Sequence, residues 1–209
     1  GGTHSHAMHH LKINKSVSRR WSADAGEGSG RDRRLLASPI VVGNKVFVTD
    51  LESKVTAFDA ETGDSVWYFR PKVPARDDEA FGGGLAFGSE TVFLSTGYGR
   101  VYALEAKTGK LKWVKKLQGP MRAPPAVAGG RVFIVTIDNH LIALNAQSGE
   151  RLWTHAGLSE IAGLLGGAAP AVDGNTVIVP YSSGEIFAIR AENGRVSWSE
   201  ALSPARRID

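Results

Sequence analysis

Residues Ala57–Trp67 read AFDAETGDSVW. The same eleven-residue phrase returns as ALEAKTGKLKW at Ala103–Trp113, ALNAQSGERLW at Ala143–Trp153 and AIRAENGRVSW at Ala188–Trp198. In each copy a glycine stands four residues before the tryptophan: Gly63, Gly109, Gly149 and Gly194 precede Trp67, Trp113, Trp153 and Trp198. Successive tryptophans are 46, 40 and 45 residues apart. The same intervals separate Val46, Val92, Val132 and Val177, then Ala57, Ala103, Ala143 and Ala188, then Pro39, Leu85, Pro125 and Pro170. Register holds through each unit, and the length changes fall between a tryptophan and the start of the next unit. Chance does not hold register at four columns, so the chain is an internal repeat.

Within a unit the pattern is β. In the third copy Pro125–Ala128 opens the unit and Gly129-Gly130 turns it. RVFIVT (Arg131–Thr136) and LIALN (Leu141–Asn145) are strands separated by a turn at Asp138–His140. AQSGE (Ala146–Glu150) turns again before a fourth strand at Leu152–His155. The middle strands are apolar on both faces, so both faces must be covered. Four hairpin-linked strands repeating every 40–46 residues and stacked face to face predict an all-β chain, a β-propeller of four-stranded antiparallel blades. The blades are expected at about 38–70, 83–116, 123–156 and 167–200.

The columns have physical reasons. Glycine in the third turn supplies a positive φ at no steric cost. Alanine in strand three suits a close approach by the next blade. Proline in strand one is tolerated on an edge facing the central channel. An outer-strand tryptophan is large and flat enough to cover the gap between blades. Burying ~150–250 Å² of each sets an upper bound of roughly 4–6 kcal/mol per site. The five tryptophans are therefore read as packing residues.

The fifth, Trp21, lies 46 residues before Trp67, though Val17 and not glycine stands four residues ahead of it. It predicts an orphan outer strand at about 17–24, following an N-terminal arm at 1–16 and opening a partial propeller at 17–209. Five outer strands against four sets of inner strands suggest part of a larger ring. Unclosed end blades would expose apolar sheet faces, and two copies closing one ring is a further expectation.

The eleven-residue phrase resembles the tryptophan-docking motif of quinoprotein-type propellers, Ala-x-Asp-x-x-Thr-Gly-x-x-x-Trp. The first copy matches in full, and later copies drift at the Asp and Thr positions. That superfamily includes dehydrogenases that bind pyrroloquinoline quinone and Ca²⁺. It also includes the non-catalytic propeller lipoproteins of the outer-membrane β-barrel assembly machinery, the BamB branch. RRWSADAGEGSGR (Arg19–Arg31), GPMRAPPAVAGGRVFIVTIDNHLIAL (Gly119–Leu144), EIAGLLGGAAPAV (Glu160–Val172) and YSSGEIFAIRAENGRVSW (Tyr181–Trp198) are similar to this branch in its alphaproteobacterial form. The resemblance implies a ring of about eight blades and a periplasmic scaffold attached to the inner face of the outer membrane. Its implied partners are the barrel-forming subunit and unfolded barrel clients, with no cofactor and no catalysis.

Composition weighs on the alternative, a quinone/Ca²⁺-dependent dehydrogenase or sensor domain. The chain has 209 residues, 25 glycines and no cysteine. Glycine at 25 of 209 residues exceeds the usual ~7% and fits a turn-rich fold. The missing cysteine excludes the vicinal cysteine pair frequent in that enzyme branch, along with disulfides and thiolate metal sites. Asp59 and Glu105 sit at repeat-equivalent turns and read as turn formers. Asp138-Asn139-His140 reads either as an ordinary turn or as a metal or base trio, and His155 as structural. The net charge is +4 without a basic run, and Arg31–Arg34 is broken by Asp32, so no nucleic-acid partner is expected. No stretch reaches the ~18 apolar residues of a membrane span, and no signal segment opens the chain. An exported protein would then be a trimmed form. His4, His6, His9 and His10 read as a native arm, a cloning remnant or a metal site.

Inter-blade spans carry the length variation, and such loops often form a binding face. The most apolar is Ile161–Leu165 (IAGLL), flanked by Glu160 and Gly166. It reads as a helix packed on the blades or as a partner contact. In the assembly lipoproteins the equivalent loop resembles a contact for the barrel-forming subunit through Leu-x-Leu-Arg-Gly. Aligned on Pro170, Leu164 and Gly166 match, while Ala162 and Leu165 replace the first Leu and the Arg. The partner-binding candidates are therefore Glu160, Ile161, Leu164, Leu165 and Gly166.

Overall fold

The computed structural model describes residues 18–29, 37–72, 82–121, 123–158 and 168–201. Four antiparallel sheets of four strands occupy them. The first contains β1 (Ile40–Val42), β2 (Lys45–Thr49), β3 (Val55–Asp59) and β4 (Ser65–Phe69). The second contains β5 (Gly83–Gly88), β6 (Thr91–Thr96), β7 (Arg100–Glu105) and β8 (Leu111–Lys116). The third contains β9 (Ala126–Ala128), β10 (Arg131–Val135), β11 (His140–Asn145) and β12 (Arg151–Ala156). The fourth contains β13 (Ala171–Asp173), β14 (Thr176–Pro180), β15 (Glu185–Arg190) and β16 (Val196–Ala201). Each sheet is a meander in chain order. First strands approach one another, β1 to β5, β5 to β9 and β9 to β13, which places them innermost.

Hydrophobic cores fill the seams between successive sheets. Phe47, Val55 and Ala57 meet Leu85, Val92 and Leu94 in the first seam. Phe93, Val101 and Ala103 meet Val132, Ile134 and Leu144 in the second. Phe133, Leu141 and Ala143 meet Val177, Val179 and Ile189 in the third. Facing rows repeat across the ladders. Phe47, Ala57 and Trp67 are register partners, as are Phe93, Ala103 and Trp113, and Phe133, Ala143 and Trp153. The alanines are fully buried because the next sheet lies against them. After each alanine the outer-strand register shifts by a β-bulge, so one residue there is unpaired.

The tryptophans dock between copies of the repeat. Trp67 Nε1 donates to Ala106 O at 3.1 Å, Trp113 to Ala146 O at 3.0 Å and Trp153 to Ala191 O at 3.0 Å. Each indole lies on the next unit's turn glycine. A Cβ built on Gly109, Gly149 or Gly194 would come within 2.5, 2.7 or 2.8 Å of the indole of Trp67, Trp113 or Trp153. These glycines have φ of +74°, +72° and +75°. Two requirements thus fall on one position, a left-handed backbone and no side chain under the ring. Sequence reading supplies the first of these, whereas the second joins residues of different units.

Two sequence expectations are corrected. The proline column stands outside the first strands, since β1, β9 and β13 begin one residue after Pro39, Pro125 and Pro170. Proline has no N–H for the ladder. The copy with Leu85 instead has a six-residue first strand, β5. The orphan outer strand at about 17–24 is also absent: residues 18–25 form no strand, and residue 17 lies outside the described residues. Three inner strands would be needed to pair with it, and none is present there among the described residues. Trp21 nevertheless lies on the first sheet's turn, donating to Ala60 O at 2.9 Å above Gly63, where φ is +80°. Indole docking therefore does not require the strand.

The turn before each docking glycine is held by the motif's Asp position. Asp59 Oδ1 accepts the N–H groups of Glu61 (2.8 Å) and Thr62 (3.0 Å), and Asn145 Oδ1 accepts those of Gln147 (2.8 Å) and Ser148 (3.1 Å). The backbone donors of Thr62 and Glu61 hold the Asp59 carboxyl below its ordinary 3.8. The depressed value makes this stabilisation present above pH 3.8 and lost as the pH falls through the folded-state value. Asp59→Asn, the residue of the third copy, is expected to lower the urea midpoint at neutral pH towards its acid value and to flatten its acid decline. An unchanged acid decline in the variant would refute this role for Asp59.

Candidate partner-binding face

The turns joining second to third strands lie beside the segments that leave each outer strand. In the first sheet Asp50 Oδ1 accepts the N–H groups of Glu52 and Lys54, and Leu51 N donates to Glu27 O at 3.1 Å. In the second, Leu117 N donates to Gly99 O at 2.8 Å and Arg100 Nη1 to Lys72 O at 2.9 Å. In the third, Ile137 N donates to Pro120 O at 3.0 Å. The described parts of these inter-blade segments thus lie beside the turns between second and third strands, on one face.

Around the third turn this face carries a polar network centred on Asn139. Asn139 is buried with φ +58°, a conformation asparagine tolerates well. Its Nδ2 donates to Leu158 O at 2.8 Å, and its Oδ1 accepts Ser182 Oγ (2.9 Å) and Ser182 N (3.2 Å). Leu158 N donates to Glu185 Oε2 at 3.0 Å, and Gly157 N to Asn139 O at 2.8 Å. A Cβ on Gly157 would meet the Tyr181 ring at 2.4 Å. Backbone and side-chain bonds from two sheets therefore fix the chain at Gly157 and Leu158, the last described residues before Ile161–Leu165 in the sequence. Leu158 is 65% exposed, and Ile137, on the same face, is 42% exposed.

The Asp138-Asn139-His140 trio does not converge on one point. Asn139 is committed to Leu158 and Ser182, while exposed Asp138 and half-buried His140 pair with each other at 3.1 Å. No group of three or more His, Asp or Glu side chains capable of holding a metal occurs among the described residues. His155 belongs to a ring cluster. Its Nδ1 lies 2.8 Å from Tyr181 Oη, and its centroid is 4.6 Å from that of Phe187. Burial lowers the His155 pKa, with Glu185 opposing and His140 reinforcing. Burial likewise raises that of Tyr181.

Glu160, Ile161, Leu164, Leu165 and Gly166 lie outside the described residues. The structure describes instead Asn139, Tyr181, Ser182 and Glu185 around the preceding Gly157 and Leu158. Sequence reading marks Asn139 only within a polar trio. It carries no signal for Glu185, which sits in a strand 27 residues from the Leu158 amide it accepts.

Four-stranded blades stacked face to face, the first three each laying an indole on the next blade's glycine turn, define a β-propeller of the PQQ-repeat class. The chain belongs to the family described as outer membrane protein assembly factor BamB, whose family model matches residues 14–77 and 52–209. The BamB of Xanthomonas campestris pv. campestris is 32% identical over 84 residues, 38% of this chain and 20% of that protein. The crystal structure of BamB from Moraxella catarrhalis superposes with a TM-score of 0.71 at 22% identity, over 81% of this chain and 50% of that one. Quinohemoprotein alcohol dehydrogenase from Comamonas testosteroni superposes with a TM-score of 0.66 at 21% identity, over 82% of this chain and 35% of that one. At these identities the two structures share the fold. The chain spans half or less of the length of these relatives.

Proposed function

We propose that this chain is a non-catalytic scaffold in outer-membrane β-barrel assembly. It acts in the periplasm at the inner face of the outer membrane and docks the barrel-forming subunit through its inter-blade loops. Exposed strand edges hold unfolded barrel clients by strand addition. The observation that carries the reading is the fixed position of Leu158, just before Ile161–Leu165 in the sequence. Asn139 and Glu185 hold Leu158 in place while its side chain stays exposed. Holding the residue that precedes an apolar stretch lowers the ordering cost of binding there, and family membership points to the same assembly. A second copy closing a ring would have to seat its Trp198 over Ala60 and Gly63, where Trp21 already lies. The docked Trp21 and a ring-closing dimer therefore exclude each other.

A pull-down from envelope extract tests the docking. Leu164→Glu is expected to lose an outer-membrane barrel partner that the unsubstituted chain retains, with an unchanged melting temperature. Wild-type capture by the variant would remove the loop from the interface. Titration with pyrroloquinoline quinone and Ca²⁺ is expected to show no saturable binding; dye-linked turnover would overturn the scaffold reading.

A further inference from the structure

A groove of about 510 Å³ opens between the second and third sheets, close to the docked Trp113. Lys112 from β8 and Arg131 from β10 line it, with Ser89, Thr91, Asn145 and Leu152 among its other walls. Among the described residues no Asp or Glu lines it. Its volume falls within the ~300–1,000 Å³ of small-molecule sites.

The two cations meet here because the repeat departs from its own pattern. Arg131 pairs in register with Asn145 across the ladder. The equivalent pairs are Lys45 with Asp59, Thr91 with Glu105 and Thr176 with Arg190. In the first sheet a cation thus faces a carboxylate, and Lys45 joins the backbone donors of Thr62 and Glu61 in favouring ionised Asp59. In the third sheet asparagine has replaced that carboxylate, and its oxygen is taken by two turn amides. Lys112 brings a second charge from the neighbouring sheet, where the equivalent residues of the other units are Val66, Leu152 and Ser197.

Neither cation is neutralised by a described residue. Lys112 Nζ donates to Thr91 Oγ1 at 2.7 Å, which leaves two of its protons free. Arg131 Nη1 donates to Gly129 O at 2.9 Å, while its Nε is buried without an acceptor. A buried donor of a charged group left unmade is costly. An anion in the groove would meet the remaining N–H groups of the guanidinium rather than Nε, and arginine suits carboxylate and phosphate. Leu152 adds an exposed apolar wall.

We propose that this groove binds an organic anion, its carboxylate or phosphate group between Lys112 and Arg131 and its apolar body along Leu152. Phenyl phosphate and benzoate are the soluble probes, and phosphatidylglycerol vesicles test a lipid headgroup as the source. Binding is read by calorimetry and by the Trp113 indole resonance, since that N–H bonds to Ala146 at the groove wall. Saturable binding is expected to weaken about tenfold or more in Arg131→Thr and in Asn145→Asp. Threonine occupies the Arg131 position in two other units and aspartate the Asn145 position in one, so both variants are expected to keep the fold. Thermal midpoints check this. Groove-dependent binding of a soluble probe supports a free organic anion, and groove-dependent binding of vesicles alone supports a headgroup. Binding of neither, or binding unchanged in both variants, overturns the proposal.

Discussion

Gly109→Ala is expected to destabilise the propeller by about 2–5 kcal/mol in urea denaturation, the sum of two separable costs. Gly109 has φ +74°, and a residue with a Cβ costs about 1–2 kcal/mol in the left-handed region. The new Cβ would also lie 2.5 Å from Trp67 Cε3, so the indole has to move. Overpacking of this kind costs about 1–3 kcal/mol. Gly43→Ala isolates the first cost, because Gly43 has φ +55° and an added Cβ there would meet nothing within 4 Å. Its expected penalty is about 1–2 kcal/mol. A smaller side chain at Trp67 should relieve the second cost, so Gly109→Ala combined with Trp67→Leu is expected to be less than additive. If Gly109→Ala costs no more than Gly43→Ala, the indole does not rest on the glycine.

This division between the two costs marks what the sequence makes legible. Sheet number, strand order and the fully buried alanines follow from columns held in register, because each unit repeats one local solution. Positive φ at Gly63, Gly109, Gly149 and Gly194 is likewise local. The pairing of Trp67 with Gly109 is not local. Within the phrase each tryptophan follows its own glycine by four residues, and only stacking shows that it rests on the next one. Trp21 shows the opposite failure: its spacing implies a strand, but a strand needs partners, and only the docking is observed. Asn139 and Glu185 are hidden for a further reason. Their roles come from hydrogen bonds to a backbone 19 and 27 residues away, and no periodic column records such bonds. The Lys112–Arg131 groove is equally hidden, although its signal, asparagine where the motif carries aspartate, lies in the repeat itself.

Trp67→Ala is expected to cost about 3–5 kcal/mol, the range for truncating a packed tryptophan, whereas Trp198→Ala should cost about 1 kcal/mol or less. The two residues occupy the same position of the same motif, each paired with the motif's alanine across a bulged ladder. Their surroundings differ. Trp67 is 9% exposed, packs against Phe47 at 5.7 Å and donates to Ala106 O in the next sheet. Trp198 is 50% exposed, and Ile178 stands where the other rows place a phenylalanine. In a stacked repeat much of the stability sits in nearest-neighbour interfaces, so a docking residue contributes only as much as the neighbour it meets. Trp21→Ala should fall between the two, since its indole is docked and bonded but its segment has no ladder. Urea midpoints measured under one set of conditions give the order. Equal losses for Trp67→Ala and Trp198→Ala would place the tryptophan's contribution within its own sheet and remove inter-blade docking as the reason the motif recurs.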